Sequence, residues 1–310
     1  MYNFFTVFLL VIALSATALM LSSLFTYPRT VSRVVHPIYG SAYSVRMHSH
    51  PALSASAQRD VLCNAQNGSQ HAAVKILAQF DRSLTFLDIG ADTGNVSLAA
   101  LFCVPTLHRV IAVEPVSSRH ETLLRRLEEL SGDDPESERF FAKRLAFANE
   151  SARRFVSVER GGNLKEVKQN SSANSDVEEH GQHAEFVRAD EFLVNNGFEP
   201  DFVRMDVRAD EMNVLQGMQK LLKAQHNLVI MVEHDSRMLS TMGKEWSRVY
   251  DYMTELQFRA YCEPVGESRG GEFNTDTKEF TKEQVGSVAC RQLVYWKHVS
   301  SNMGSVVGRF

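Results

Sequence analysis

One short apolar run ends in residue types that could bind a ligand. The run is Thr85-Phe-Leu-Asp-Ile89, and Gly90, Asp92 and Gly94 follow it directly. Asp88 comes at the end of the predicted strand, and the two glycines let the backbone turn tightly into the start of a helix. Turns between a strand and a helix are common binding places for nucleotides and nucleosides, so these residues are candidate ligand contacts.

The position two residues after Gly90 indicates which kind of ligand this turn favours. Dinucleotide-binding enzymes need a glycine there, so that the backbone can approach a pyrophosphate. This chain has Asp92 instead, whose negative charge would repel a pyrophosphate and attract a cation. S-Adenosylmethionine carries a sulfonium and an α-ammonium group, so it is the favoured cofactor and a nicotinamide dinucleotide is the alternative.

More acidic residues, and one histidine, follow later predicted strands. Glu114 ends the next strand, where its two oxygens can accept both hydroxyls of a ribose. Asp206 ends the fourth strand, and Glu233 and His234 end the fifth. Ligands of open α/β sheets bind outside the carboxyl ends of the strands, so we expect these side chains along one rim. The alternatives are a helix cap for Asp206 and an ordinary loop histidine for His234.

Strands and helices must alternate to place these residues together. Apolar runs predict strands at Thr85–Ile89, Arg109–Val113, Phe140–Phe147, Asp201–Asp206, Asn227–Val232, Phe258–Cys262 and Val288–Trp296. Helical periodicity starts near Ala72 and recurs at Asn95–Phe102, Ser117–Leu130, Glu211–Lys223 and Trp246–Leu256. This alternation predicts an α/β fold on a mostly parallel sheet, with an antiparallel edge strand near Cys290.

The remaining segments suggest how the chain is divided. Phe4–Phe25 has no charged residue and is long enough, at about 33 Å as a helix, to cross a bilayer. We predict a transmembrane helix, with a cleaved signal sequence or a buried core helix as alternatives. The predicted divisions are 1–26 as the anchor, 27–70 as a stem, 71–300 as the α/β domain with a variable polar insertion at 159–184, and 301–310 as a flexible tail.

Composition disfavours two classes of partner. The 310-residue chain has a formal net charge of −4 and lacks a block of basic and aromatic residues, so no nucleic-acid partner is expected. The four cysteines, Cys63, Cys103, Cys262 and Cys290, form no CxxC pair and lack zinc-ligand spacing, so no metal is predicted.

Over about residues 84–235 the chain resembles the FkbM-like methyltransferases. The resemblance rests on Leu87–Gly94, Ala112–Pro115, Ala189-Asp190 with Phe192-Leu193, Val203–Val207 with Glu211, Val214-Leu215 and Gly217, and Val232-Glu233-His234. It implies a class I (Rossmann-like) seven-stranded sheet and S-adenosylmethionine as cofactor. It also implies O-methylation of an acceptor such as a small molecule, a sugar or other glycan, or a lipid head group.

The resemblance also implies roles for the candidate residues. It implies cofactor-binding roles for Asp88, Gly90, Asp92, Gly94, Glu114 and Asp190. His234, Asp206 and Glu233 are the catalytic candidates, with His234 or Asp206 as the base that takes the hydroxyl proton.

The chain departs from the family pattern at two places. The family usually has Asn where Asp92 stands, and a Glu-Gly pair where Arg208-Ala209 stand. The second change alters the loop beside the predicted rim. A catalytically silent binding module with a methyltransferase fold is therefore kept as an alternative function.

Sequence signals for the side of the membrane conflict. Arg29, Arg33 and Arg46 follow the predicted span, which favours a cytosolic domain. The very short N-terminus favours the lumen, as do the sequons at Asn67, Asn95, Asn149 and Asn170. A glycan could not fit at Asn95 in the cofactor turn, so Asn170 in the polar insertion is the informative sequon. Cys262 and Cys290 fall on strands expected to be neighbours, where a lumenal domain could join them. We expect a single-pass membrane protein with a lumenal, endomembrane domain.

Overall fold

The structure is a computed structural model. It describes residues 54–64, 68–131, 138–158, 164–166, 181–225, 227–233, 245–264, 279, 281–282 and 290–296. The predicted transmembrane segment Phe4–Phe25 and the candidate base His234 lie outside these residues. Within the described ranges, the helices are all too short or too polar to cross a bilayer.

Each predicted strand and helix has a counterpart in the predicted order, and the described residues form further elements that the apolar runs did not predict. The strands are β1 Leu84–Ile89, β2 Leu107–Val113, β3 Phe140–Lys143, β4 Ala146–Phe147, β5 Ala152–Val158, β6 Leu164–Glu166, β7 Gly181–Val187, β8 Phe202–Met205, β9 Val229–Glu233, β10 Arg259–Pro264 and β11 Cys290–Trp296. The helices are α1 Ala55–Asn64, α2 Gly68–Leu77, α3 Asn95–Cys103, α4 Ser117–Ser131, α5 Ala189–Asn196, α6 Glu211–Gly217, α7 Gln219–Ala224 and α8 Trp246–Glu255.

Seven strands form the main sheet, in the order β10-β11-β9-β8-β1-β2-β3. Strands β9, β8, β1, β2 and β3 pair in parallel, and β11 is antiparallel to both of its neighbours. This confirms the mostly parallel seven-stranded sheet. The predicted place of the antiparallel strand was wrong: β11, which begins at Cys290, lies inside the sheet and β10 is at its edge. Strand β11 carries the buried Val294 and Tyr295, which lie opposite Met231 and Ile230 of β9.

The main sheet is covered on both faces, as a parallel sheet requires. Alternate residues of β1 enter different cores, with Phe86 on one face and Leu87 and Ile89 on the other. Helices α2 and α3 cover the Phe86 side, and α5 to α8 cover the opposite side. These two layers leave the carboxyl ends of the parallel strands as the open edge.

A second, four-stranded sheet stands beside the first, in the order β4-β7-β5-β6. The predicted strand Phe140–Phe147 is divided between the two sheets, because its first half pairs with β2 and its last two residues pair with β7. Part of the predicted polar insertion 159–184 also forms strands, at 164–166 and 181–184. Pairing with β5 satisfies the backbone of these segments despite their polar composition.

Helix α1 comes from the segment predicted as a stem, and a disulfide ties it to the main domain. Cys63 bonds to Cys103 at the end of α3, with 5.5 Å between their Cα atoms. Arg59 donates to the backbone oxygens of Leu130 and Ser131, at 2.7 and 2.9 Å. Because α1 buries no residue, its apolar pattern could not have predicted it.

The backbone register bears on the predicted disulfide between Cys262 and Cys290. Strands β10 and β11 are neighbours, as predicted. The register places Cys262 opposite Leu293 and Cys290 opposite Pro264, so the two cysteines are not cross-strand partners. A bond between them stays a prediction.

Candidate functional site

A cavity of ≈ 280 Å³ opens at the carboxyl ends of β1, β2 and β8. Gly90, Asp92, Glu114 and Asp206 all line it, so this rim brings together residues up to 116 positions apart in the chain. The second sheet forms the opposite wall, with Arg154, Val156, Leu164, Glu166 and Phe186. Two sheets therefore enclose a space that one open sheet would leave as a shallow crevice.

Gly90 is required by the protein's own backbone. Its φ is +79°, and a Cβ at this position would lie 2.0 Å from the backbone oxygen of Asp206. The N–H groups of Gly90 and Ala91 both donate to the backbone oxygen of Val113, at 2.9 and 3.0 Å. The glycine thus lets the ends of β1, β2 and β8 approach one another closely. Any larger residue would push β8 away from the cavity.

Asp92 does not act as the isolated negative charge that the sequence suggested. Its carboxylate lies 3.2 Å from Arg119 Nε, so an arginine compensates much of its charge. Its backbone is left-handed, with φ +51°, a conformation that aspartate tolerates better than most residues. The argument that Asp92 selects a cation by charge is therefore weaker than predicted, although the residue does line the cavity.

Glu114 is buried and oriented by two backbone donors. Its Oε2 accepts from the N–H of Asp92 and its Oε1 from the N–H of Val116, both at 2.9 Å. Burial raises the pKa of Glu114, and these hydrogen bonds and Arg119 oppose the rise. Each carboxylate oxygen keeps a second acceptor site, so Glu114 can still accept hydroxyl groups from the cavity.

Arg204 connects three of the candidate acids, and the sequence analysis gave it no role. Its Nη1 lies 2.8 Å from Asp88 Oδ1, its Nη2 3.0 Å from Asp206 Oδ2, and its Nε 3.6 Å from Glu233 Oε1. Asp88 and Arg204 are direct partners in the β1–β8 register. Burial alone would lower the pKa of Arg204, but Asp88, Asp206 and Glu233 outweigh burial and raise it. A lone arginine inside an apolar strand was the signal that could have identified it.

Two residues predicted to bind the cofactor are placed elsewhere. Asp88 is fully buried below the cavity, where Ser97 Oγ donates to its Oδ2 at 2.5 Å. The carboxylate of Asp190 accepts the N–H groups of Lys220 and Leu221, at 2.9 and 3.0 Å. Neither side chain lines the described cavity. Asp88 therefore orients Arg204, and Asp190 caps the start of α7, so neither geometry supports direct contact with a ligand.

Gly94 and Glu233 are also not among the described residues that line the cavity. Gly94 precedes α3 with φ +84°, and a Cβ there would lie 2.9 Å from Leu123 Cγ. Glu233 faces Arg204 at the end of β9. Their positions make both residues supports of the rim.

Comparisons with known proteins identify a family for most of the region that builds this site. Residues 88–260, more than half of the chain, match the sequence model of the methyltransferase FkbM domain. No curated protein matches the chain. Similar solved structures include a methyltransferase FkbM from Methylobacillus flagellatus KT, with 13% identity, a TM-score of 0.45, and coverage of 78% of this chain and 58% of that one.

Two further similar structures come from other proteins. One is an O-methyltransferase from Bacillus cereus in complex with SAH, with 12% identity, a TM-score of 0.41, and coverage of 78% of this chain and 87% of that one. The other is fibrillarin from Aeropyrum pernix with natively bound S-adenosyl-L-methionine, with 10% identity, a TM-score of 0.39, and coverage of 73% and 74%. This chain spans 58% of the FkbM structure's length.

The sheet order and the strand-end cavity define a class I methyltransferase-like α/β fold. The match over residues 88–260 makes the assignment more specific: the chain belongs to the FkbM methyltransferase family. S-Adenosylmethionine is the cofactor of this class, and the residues present fit it. Glu114 offers acceptors for a ribose, Val116 and Leu145 offer apolar surface for a base, and Asp206 offers negative charge to a cationic group.

Replacing Arg204 tests whether it holds the strand ends together. Arg204→Met should destabilise the domain by about 3–5 kcal/mol, because three neighbouring carboxylates lose their shared cation. Crowded carboxylates hold protons more tightly than in the unfolded chain, so the loss should shrink as the pH falls through the acidic range. Urea unfolding at several pH values measures this effect.

Arg82→Met is the matched control for this experiment. Arg82 pairs with Asp201 at 2.8 Å but is 46% exposed, so its removal should cost at most about 1 kcal/mol. Equal losses in the two variants would contradict the central position given to Arg204.

Glu114 should make cofactor binding depend on pH. Its ionised form accepts hydroxyl groups best, so affinity for S-adenosylhomocysteine should fall on acidification. Because burial raises the pKa of Glu114, the fall should begin at a higher pH than for an ordinary glutamate. Glu114→Gln should weaken binding by about 1–3 kcal/mol at neutral pH and abolish this pH dependence. Calorimetric titration measures both quantities.

Glu121→Gln provides the control for Glu114, since Glu121 is exposed on α4 and outside the cavity lining. It should keep the wild-type affinity and its pH dependence. A Glu114→Gln protein that titrates like the wild type would remove Glu114 from the cofactor site.

Proposed function

We propose that the protein transfers a methyl group from S-adenosylmethionine to a hydroxyl oxygen of a small molecule, a sugar or a lipid head group. The main support is that one cavity holds Glu114, which suits a ribose, and Asp206, which suits the reacting end. The wall from the second sheet supports a second molecule in the same cavity. It combines apolar Val156, Leu164 and Phe186 with charged Arg154 and Glu166.

The reaction assigns limited tasks to the protein. When bound, S-adenosylmethionine supplies a methyl group on a sulfonium, so that a C–S bond breaks, a C–O bond forms and S-adenosylhomocysteine is released. The chain must hold the acceptor hydroxyl in line and remove its proton. Arg204 and Arg208 lie 3.0 and 3.6 Å from opposite oxygens of Asp206, which orients that carboxylate at the cavity.

Two residues are the candidates for the base. Asp206 lines the cavity, and its side chain is 25% exposed. His234 directly follows Glu233, the last residue of β9, in the sequence. We propose His234 or Asp206 as the base, and Glu233 as a support for Arg204.

A silent binding module is the competing function. Its support is the Arg208-Ala209 pair, at which the chain departs from the family pattern. Both residues have a left-handed backbone conformation, with φ +53° and +71°, and they come two and three residues after Asp206. A site that keeps the cofactor cavity and has lost the base would bind S-adenosylhomocysteine without supporting turnover.

The test is a transfer assay with radiolabelled S-adenosylmethionine. The acceptors are small molecules, sugars and lipids extracted from the native cell. We expect label in an extracted hydroxyl compound, and a fall of ~100-fold or more in the variant that loses the base, His234→Ala or Asp206→Asn. Affinity for S-adenosylhomocysteine should be largely kept in His234→Ala. Binding without transfer to any fraction would favour the silent module, and near-wild-type turnover in both variants would exclude both proposed bases.

We further propose that Phe4–Phe25 anchors the protein in a membrane and that the domain faces an oxidising lumen. The uncharged run supports the anchor. The Cys63–Cys103 disulfide supports the lumen, because such bonds form and persist in oxidising compartments. A glycan or lipid acceptor would be available on that side.

Thiol labelling of protein from its native cell tests the compartment. After alkylation under denaturing conditions without reductant, Cys63 and Cys103 should be unlabelled, and they should become reactive once reductant is added. Glycosidase treatment should also shift the mobility of the wild type more than that of Asn170→Gln. Two free thiols and an unchanged mobility would place the domain in the cytosol.

A further inference from the structure

The loop after β8 holds two residues in an unfavourable backbone conformation. Arg208 and Ala209 both have positive φ, and side chains with a Cβ rarely adopt it. The N–H of Ala209 donates to the buried Glu211 Oε1 at 3.0 Å, which stabilises the loop. The result is that Arg208 lies in the cavity wall, two residues after Asp206.

Arg208 is also the least neutralised of the three described arginines that line the cavity. Arg119 lies 3.2 Å from Asp92. Arg154 lies 2.5 Å from Glu150 and stacks on the ring of Phe186. The Arg208 Nε lies 3.6 Å from Asp206 Oδ1, too far for a hydrogen bond, and its side chain is 43% exposed. Its guanidinium therefore has donors available for an anion in the cavity.

Asp206 and Arg208 together present one negative and one positive charge on the same wall. An α-amino acid has the complementary pair, an ammonium and a carboxylate on one carbon. The rim runs from Glu114 after β2, past Gly90 after β1, to Asp206 after β8, and these strands are neighbours in the sheet. A cofactor whose ribose lies at Glu114 would thus have its amino-acid end near Asp206 and Arg208.

We propose that Arg208 binds the α-carboxylate of the cofactor's methionine end, and that Asp206 beside it faces the α-ammonium, an assignment that favours His234 among the two candidate bases. The inference rests on the proposed function, because it takes S-adenosylmethionine as the ligand. A guanidinium can hold a carboxylate through two parallel hydrogen bonds, which also fixes its orientation.

Calorimetry with two ligands isolates the contact with the carboxylate. The ligands are S-adenosylhomocysteine and its decarboxylated analogue, which keeps the adenosine, the thioether and the amine. Arg208→Gln should weaken binding of S-adenosylhomocysteine roughly 10- to 100-fold, the usual effect of losing hydrogen bonds to a charged group. Binding of the decarboxylated analogue should stay within about twofold of the wild type, since the contact at stake is absent from that complex.

Two further variants complete the test. Arg208→Lys should recover part of the lost affinity, because it restores the positive charge but not the bidentate hydrogen bonding to the carboxylate. Arg154→Gln, which removes another arginine from the cavity wall, should leave the affinity ratio of the two ligands unchanged. An equal loss for both ligands in Arg208→Gln, or no loss for either, would overturn the assignment. Binding of neither ligand by the wild type would instead refute the proposed function, and this inference with it.

Discussion

The organisation of the site depends on one buried cation, the guanidinium of Arg204. It lies within 3.6 Å of carboxylates from the ends of β1, β8 and β9. Three acids at adjacent strand ends would repel one another in a poorly hydrated interior, and a single arginine turns that repulsion into attraction. Asp88 is fully buried and Asp206 faces the cavity, so the same cation links the core of the sheet to the binding surface.

The protein's own contacts organise the backbone around the cavity. Gly90 lets the oxygen of Asp206 come close, and Glu114 is held by the N–H groups of Asp92 and Val116. Such groups need little reorganisation when a ligand arrives, and preorganised polar groups bind with a smaller entropic cost. The strained loop at Arg208 also holds its side chain in the cavity lining.

The second sheet adds a wall to the cavity at the strand ends of this common fold. Strands β5, β6 and β7 line one side of the cavity. Their side chains come from a different part of the chain than the Gly90 turn and Glu114. Under the proposed function, the cofactor end and the acceptor end would be built by different parts of the chain. Changes in the second sheet would then alter the choice of acceptor while the cofactor residues stay the same.

The amino-acid sequence was sufficient to predict the strands of the main sheet, most of the helices and the rim where several candidate residues meet. Local apolar runs predict strands, and the chain's βαβ order predicts where their carboxyl ends meet. The positions of Asp88, Asp190 and Arg204, the disulfide of Cys63 with Cys103, and the place of β11 became apparent only in the folded chain. Each of those depends on contacts between residues far apart in the chain, and the spacing of residue types carries no information about such distances.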